Sequence, residues 1–298
     1  MTILTTSGLT KKYGRIFALK DLDLEIHPGM VFGLLGPNGS GKTTTLGLLL
    51  GVRQPTRGSF SWFEQPPSAA IRKKIGAILE SPCFHPYMTG FQNLQIAAGI
   101  KECPESAIEE VLETVDLYER KDDPFKTYSL GMKQRLAIAS SLLSDPEVMI
   151  LDEPTNGLDP QGIADIRALI IRISETGKTI LLASHLLDEV QKVCTHFLIL
   201  QNGRKRYEGS VEDALSHQPT VEVAARDMQA LRSRLQDFGG INKLEQLGDR
   251  LILTFEEQVD TEALNRYLHE KGIICTLLAK RRGQLESEFL RILSEDDE

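Results

Sequence analysis

The sequence predicts an α/β fold built mainly on parallel strands, followed by a smaller α+β module. Two observations predict the first part: continuous apolar runs bounded by Gly, Pro or Asp recur along it, and helical patterns lie between them. A third predicts the second part, because from Thr220 the pattern changes to short strands and helices in a different order.

Taken in order, Ile3 to Leu9 and Phe17 to Ile26 alternate apolar with polar residues, which predicts a short antiparallel sheet at the entrance. Met30 to Leu35 is continuously apolar and reads as a strand buried on both faces, with Thr44 to Leu50 as the helix after it. Lys133 to Leu143 reads as a further helix. Val148 to Leu151, Thr179 to Ala183 and His196 to Leu200 repeat the buried-strand pattern, and Leu186 to Cys194 is a connecting helix.

In the last part, Thr220 to Ala224 reads as a strand and Asp227 to Phe238 as a helix closed by Gly239 and Gly240. Ile241 to Leu247 and Leu251 to Phe255 form a hairpin about Gly248 and Asp249, Asp260 to Lys271 is helical, and Ile273 to Ala279 is extended. The order βαββαβ predicts a ferredoxin-like module. Leu285, Phe289, Leu290 and Leu293 give a closing helix one apolar face. The boundary falls near Ser216, with Gln218, Pro219 and Thr220 as a short link, so the expected domains are 1–216 and 217–298.

The length of 298 residues fits about two domains, and 41% apolar with 26% charged residues supplies enough material for buried cores. Lys plus Arg is 34 against 42 Asp plus Glu, and 34 minus 42 gives a net charge of −8 with no long basic run, so no nucleic-acid partner is expected. Cys83, Cys103, Cys194 and Cys275 never pair at metal-ligand spacing, which suits a reducing compartment. The N-terminus has no signal-peptide pattern, and no stretch approaches the roughly 20 apolar residues that span a bilayer. Any membrane-crossing part is therefore expected on another polypeptide.

The segment GPNGSGKT, Gly36 to Thr43, lies between the strand ending at Leu35 and the helix beginning near Thr44. Small residues let successive backbone N–H groups curl around a polyphosphate, and the helix N-terminus adds partial positive charge. Lys42 reaches the terminal phosphates and the Thr43 hydroxyl can ligate Mg²⁺. A second anchor follows the run Val148 to Leu151, where a parallel strand would deliver Asp152 to the magnesium shell. Glu153 is then free to polarise the water that attacks the γ-phosphate.

With these motifs in place, residues 1 to about 215 resemble the ATP-binding subunits of ATP-binding cassette (ABC) transporters. The resemblance rests on GPNGSGKT, on YSLGMKQR from Tyr128 to Arg135, on VMILDEP from Val148 to Pro154, on NGLD from Asn156 to Asp159, and on ASH ending at His185. It implies a P-loop NTPase core with an antiparallel β subdomain and a helical insert over about 82–145. Residues Pro82 to Lys126 would face a membrane subunit, with Phe84, His85, Tyr87 and Met88 lining the contact.

By resemblance, Gly36, Pro37, Asn38, Gly39, Ser40 and Gly41 together with Lys42, Thr43 and Thr44 hold ATP, and Tyr13 stacks on the adenine. His185 contacts the γ-phosphate and helps orient the water. Ser129 and Gly131 stand in the stretch that relatives write LSGGQ, where Leu130 and Met132 depart from the consensus, and they reach the nucleotide of an opposite subunit; Asp159 of NGLD is implied to contact nucleotide as well. Glu80 replaces the glutamine of most relatives at a magnesium-contacting position, and together with YSLGMKQR it resembles the ABC-2 type exporters of drug and antibiotic efflux. The tail QLESEFL is similar to tails in that subgroup.

The implied function is an ATPase that powers export through a separate transmembrane permease. It would act from the cytoplasmic face of the membrane as a homodimer or pair of subunits, with the C-terminal module steadying the dimer, regulating it or touching an accessory subunit. Another class of function, a nontransporting cassette ATPase acting on nucleic acid or ribosomes, usually has two cassettes in one chain or a long coiled-coil insertion, and the sequence has neither. A nucleotide sensor without turnover would not need Glu153 and His185.

Overall fold

Three sheets organise the computed structural model, which describes residues 1–79, 83–216, 220–255, 260–281, 285 and 289. The chain divides into two compact units, Met1–Gly209 and Ser210–Glu298.

The first unit holds two of the sheets. Antiparallel β1 (Leu4–Tyr13) and β2 (Ile16–Ile26) form the expected entrance sheet, and β1 also pairs with β4 (Arg57–Trp62), a third strand the alternation does not reveal. The other sheet has the order β5-β6-β7-β3-β8-β9, where β3 is Val31–Leu35, β5 Ile75–Ile78, β6 Val148–Asp152, β7 Thr179–Ser184, β8 His196–Gln201 and β9 Arg204–Ser210. β3 runs parallel to β7 and β8, and β6 runs parallel to β5 and β7.

All five residues of β3 and of β6 and all six of β7 are buried, as continuous apolar runs require. Phe32, Leu34, Val148, Ile150, Leu181 and Leu198 share one core cluster. Each such side chain contributes about 1.5–3 kcal/mol on burial. The register sets Leu35 level with Ser184 and Asp152 level with Ala183, so three strands end at one edge.

The helices of this unit are α1 (Lys42–Leu49), α2 (Ala69–Lys73), α3 (Gly90–Lys101), α4 (Ser106–Thr114), α5 (Leu130–Leu142), α6 (Pro160–Ser174) and α7 (Leu187–Val193), with α3 and α4 packed on α5. α5 starts three residues before the expected Lys133, because Ser129 caps it by accepting from Met132 N at 3.2 Å. A capping box between Thr89 and Gln92 starts α3.

The second unit holds α8 (Val211–Ser216), β10 (Thr220–Ala225), α9 (Met228–Leu235), β11 (Ile241–Leu247), β12 (Arg250–Phe255), α10 (Thr261–Glu270) and β13 (Cys275–Arg281). After α8 the order is the predicted βαββαβ, and the antiparallel sheet runs β11-β12-β10-β13. Val221, Val223, Leu251, Leu253 and Phe255 pack with Leu231, Leu235, Leu264 and Leu268 from the two helices. The expected link residues Gln218 and Pro219, and Leu290 and Leu293 of the closing helix, lie outside the described residues.

Candidate active site

The shared strand edge brings three distant stretches together. The loop after β3 leads into α1, β6 delivers Asp152 and then Glu153, and β7 is followed by His185. The loop is built for close backbone approach. Gly41 has φ 113, and a Cβ there would lie 2.5 Å from the carbonyl oxygen of Ala18, so only glycine fits where β2 meets the loop. Pro37, Asn38 and Gly39 are exposed, whereas Ser40 and Lys42 are buried and Thr43 and Thr44 half-buried.

Lys42 Nζ donates to the carbonyl of Gly36 at 2.8 Å and lies 3.2 Å from Glu153 Oε1. The other oxygen of Glu153 lies 2.7 Å from His185 Nδ1. One carboxylate therefore bridges a lysine and an imidazole. Beside this group, Thr43 Oγ1 donates to Asp152 Oδ2 at 2.8 Å.

These residues suit a polyphosphate and a hard cation. The buried hydroxyl of Ser40 has no hydrogen-bond partner among the described residues, and a Cβ on Gly36 would lie 2.6 Å from it; the N–H groups in the first turn of α1 lack helical acceptors and can meet an anion. Thr43 and Asp152 set two hard oxygen donors side by side, the chemistry by which Mg²⁺ is held together with substrate phosphates and water. Among the described residues no group of three or more His, Cys, Asp or Glu could hold a metal on its own. Glu80 lies outside the described residues.

Tyr13 is 43% exposed at the end of β1, and its hydroxyl accepts from Arg53 Nη1 at 2.7 Å. Arg53 carried no motif signal, and its contact depends on the fold of the β1–β2 sheet over α1. Ser129, Gly131 and Asp159 are not joined to Lys42 or Glu153. They line a separate groove of about 510 Å³ with Met132, Arg135 and Gly162. There Asp159 caps α6, its Oδ1 accepting from Gly162 N at 2.9 Å. In the insert, Phe84 packs edge-on against Phe125 with ring centres 5.2 Å apart, while Tyr87 is 80% exposed. Pro82 lies outside the described residues.

Comparison with known proteins places the chain in a family. A family model described as ABC transporter matches residues 19–156. The bacitracin transport ATP-binding protein BcrA of Enterococcus faecalis is 33% identical over 98% of this chain and 96% of its own length. The chain belongs to the ATP-binding subunits of ABC transporters. The Nod factor export ATP-binding protein I of Ralstonia nicotianae is 34% identical, covering 97% of this ABC subunit and 93% of its own length. A bacterial ABC transporter cassette, solved as a dimer, superposes with a TM-score of 0.63 at 25% identity over 70% of this chain and 99% of that one. Like its family, the subunit is a nucleotide-binding ATPase.

Proposed function

We propose that this ABC subunit hydrolyses ATP to drive export through a separate transmembrane permease, as two copies that close around two nucleotides. The observation that carries the reading is the Glu153 carboxylate shared by Lys42 and His185. It gathers at one strand edge a cation for the terminal phosphates, a base, and a group that steers the base.

Glu153 accepts the proton of the water that attacks the γ-phosphate, and Lys42 offsets the negative charge of the departing phosphoryl group. His185 holds the Glu153 carboxylate through Nδ1 and turns its second nitrogen to the γ-phosphate. Tyr13 stacks on the base. Thr43 and Asp152, and Glu80 by resemblance, would hold Mg²⁺, which when bound neutralises charge between the phosphates. Lys42 belongs to one copy's site. Ser129, Gly131 and Asp159 lie in a separate groove, and they serve the nucleotide held by the partner copy. Loss of the γ-phosphate removes contacts between copies and lets them part, a switch by differential affinity.

The dimeric cassette supports pairing, and the relatives named for bacitracin transport and Nod factor export support an exporter. The exposed Tyr87 belongs to the surface that meets the permease. Among the described residues no helix is long and apolar enough to cross a membrane, which fits a peripheral subunit on the cytoplasmic face. The 217–298 module is accessory and steadies the pair. Affinity purification from detergent-solubilised membranes tests the reading. A polytopic membrane protein is expected in the eluate in stoichiometric amount, and ribosomes or DNA in its place would overturn it.

A further inference from the structure

An ion pair outside every motif joins two helices that follow the hydrolytic residues. Arg167 of α6 donates through Nη1 to Glu189 Oε1 in the first turn of α7 at 3.3 Å. The Glu189 side chain is 6% exposed and that of Arg167 22%. Burial pushes the Glu189 acid above its usual range, against the pull of Arg167. A carboxylate this deep is costly without its cation, so the pair resists separation.

Both helices start beside the catalytic edge. The chain leaves β7 at Ser184, passes His185 and enters α7 at Leu187. It leaves β6 at Asp152, passes Glu153, whose carbonyl accepts from Asn156 N at 3.1 Å, and enters α6 at Pro160. α7 also rests directly on the central strand. A Cβ on Gly33 of β3 would lie 3.0 Å from Val190 Cγ1 and 3.1 Å from Cys194 Sγ, so α7 has no free space to settle closer to the sheet. Packing fixes the height of α7 above β3, and Arg167–Glu189 ties it sideways to α6.

We propose that Arg167 and Glu189 are positioning residues that hold His185 against Glu153 by fastening α6 to α7. The inference rests on the reading of Glu153 and His185 as the hydrolytic pair. Neither Arg167 nor Glu189 belongs to the phosphate loop, so the fastening acts on turnover and leaves nucleotide affinity alone.

The test replaces both charges at once, Arg167→Met with Glu189→Leu, so that no lone buried charge remains. The expected result is a near-native melting temperature, unchanged ATP affinity, a changed ¹⁵N signal of the His185 ring, and kcat lowered by up to about 10²-fold, the cost of misplacing reacting groups by about 1 Å. Full kcat in the folded double variant would overturn the inference, as would equal losses in affinity and kcat. Should that variant fail to fold, Arg167→Lys keeps the cation but not the guanidinium geometry; a partial loss of kcat at unchanged affinity is expected, and native kcat would overturn the inference. Unimpaired turnover in Glu153→Gln and His185→Ala would instead reject the underlying reading, and the ring signal would still report whether the fastening sets the position of His185.

Discussion

His185 and Glu153 meet across 32 positions of sequence, imidazole Nδ1 to carboxylate at 2.7 Å. The contact follows from sheet register, since parallel β6 and β7 place Asp152 level with Ala183 and release the chain at the same edge. Glu153 itself has φ 49, in the left-handed region that favours glycine. Holding a larger residue there costs about 1–2 kcal/mol, which marks the turn as directed at Lys42 and His185 and not as a relaxed strand end.

Glu153→Gln keeps the size of the side chain and removes its basicity. Phosphate release is expected to fall by about 10²-fold or more, while ATP still binds and size-exclusion chromatography with ATP shows a dimer that persists. Native turnover would reject Glu153 as the base.

The division between phosphate loop and Ser129 groove gives a complementation experiment. Lys42→Ala is expected to weaken ATP binding about tenfold or more, since a charge-assisted contact to phosphate is lost. Ser129→Arg should bind ATP normally and hydrolyse poorly. Mixed together, the two inactive variants form one intact composite site and recover part of the activity. A mixture as inactive as its components would argue against head-to-tail sites.

Much of this site was legible in the sequence because its chemistry is local. Gly36 to Thr43 and Asp152–Glu153 each follow an apolar run, and a run buried on both faces ends where the helix or loop must begin. What could not be read depends on tertiary contact. β4 has three exposed residues among its six, so its pairing with β1 leaves no clear alternation. Arg53 meets Tyr13 from 40 residues away, and Arg167 meets Glu189 from 22. Those spacings carry no periodic signal, and only the packed helices bring the side chains together.

Gly41→Ala tests the loop backbone. With φ at 113 and the new methyl 2.5 Å from Ala18 O, the change is expected to cost about 2 kcal/mol or more. That corresponds to a fall of roughly 5 °C in Tm, together with weaker ATP binding. Differential scanning fluorimetry with and without ATP measures both, and an unchanged melting curve would contradict the close approach.

Tyr128 predicts an alkaline limit. The residue is 3% exposed, its hydroxyl donates to Arg120 O at 2.7 Å, and burial, with Asp123 nearby, pushes the phenol up from 10.0 to about 12. Above pH 10 the unfolded phenol loses its proton while the folded one keeps it, so the unfolded state binds fewer protons and stability falls as pH rises, until about pH 12. The total is about 2–3 kcal/mol. Tyr128→Phe should be less stable at neutral pH by about 1 kcal/mol and lose this slope. Urea titrations at pH 8 and pH 11 that show the same difference between the two proteins would refute the assignment.

The central position of β3 has an effect during synthesis. This strand ends at Leu35 and opens the phosphate loop, yet both its neighbours, β7 and β8, are translated after Lys178. A nascent chain that has emerged only as far as its first hundred residues carries an apolar ribbon with neither flank to pair with. Ribosome-bound fragments cut short of Gln201 are thus left with an open, sticky sheet and are natural clients for chaperones, and the capacity to burn fuel arrives late and all at once.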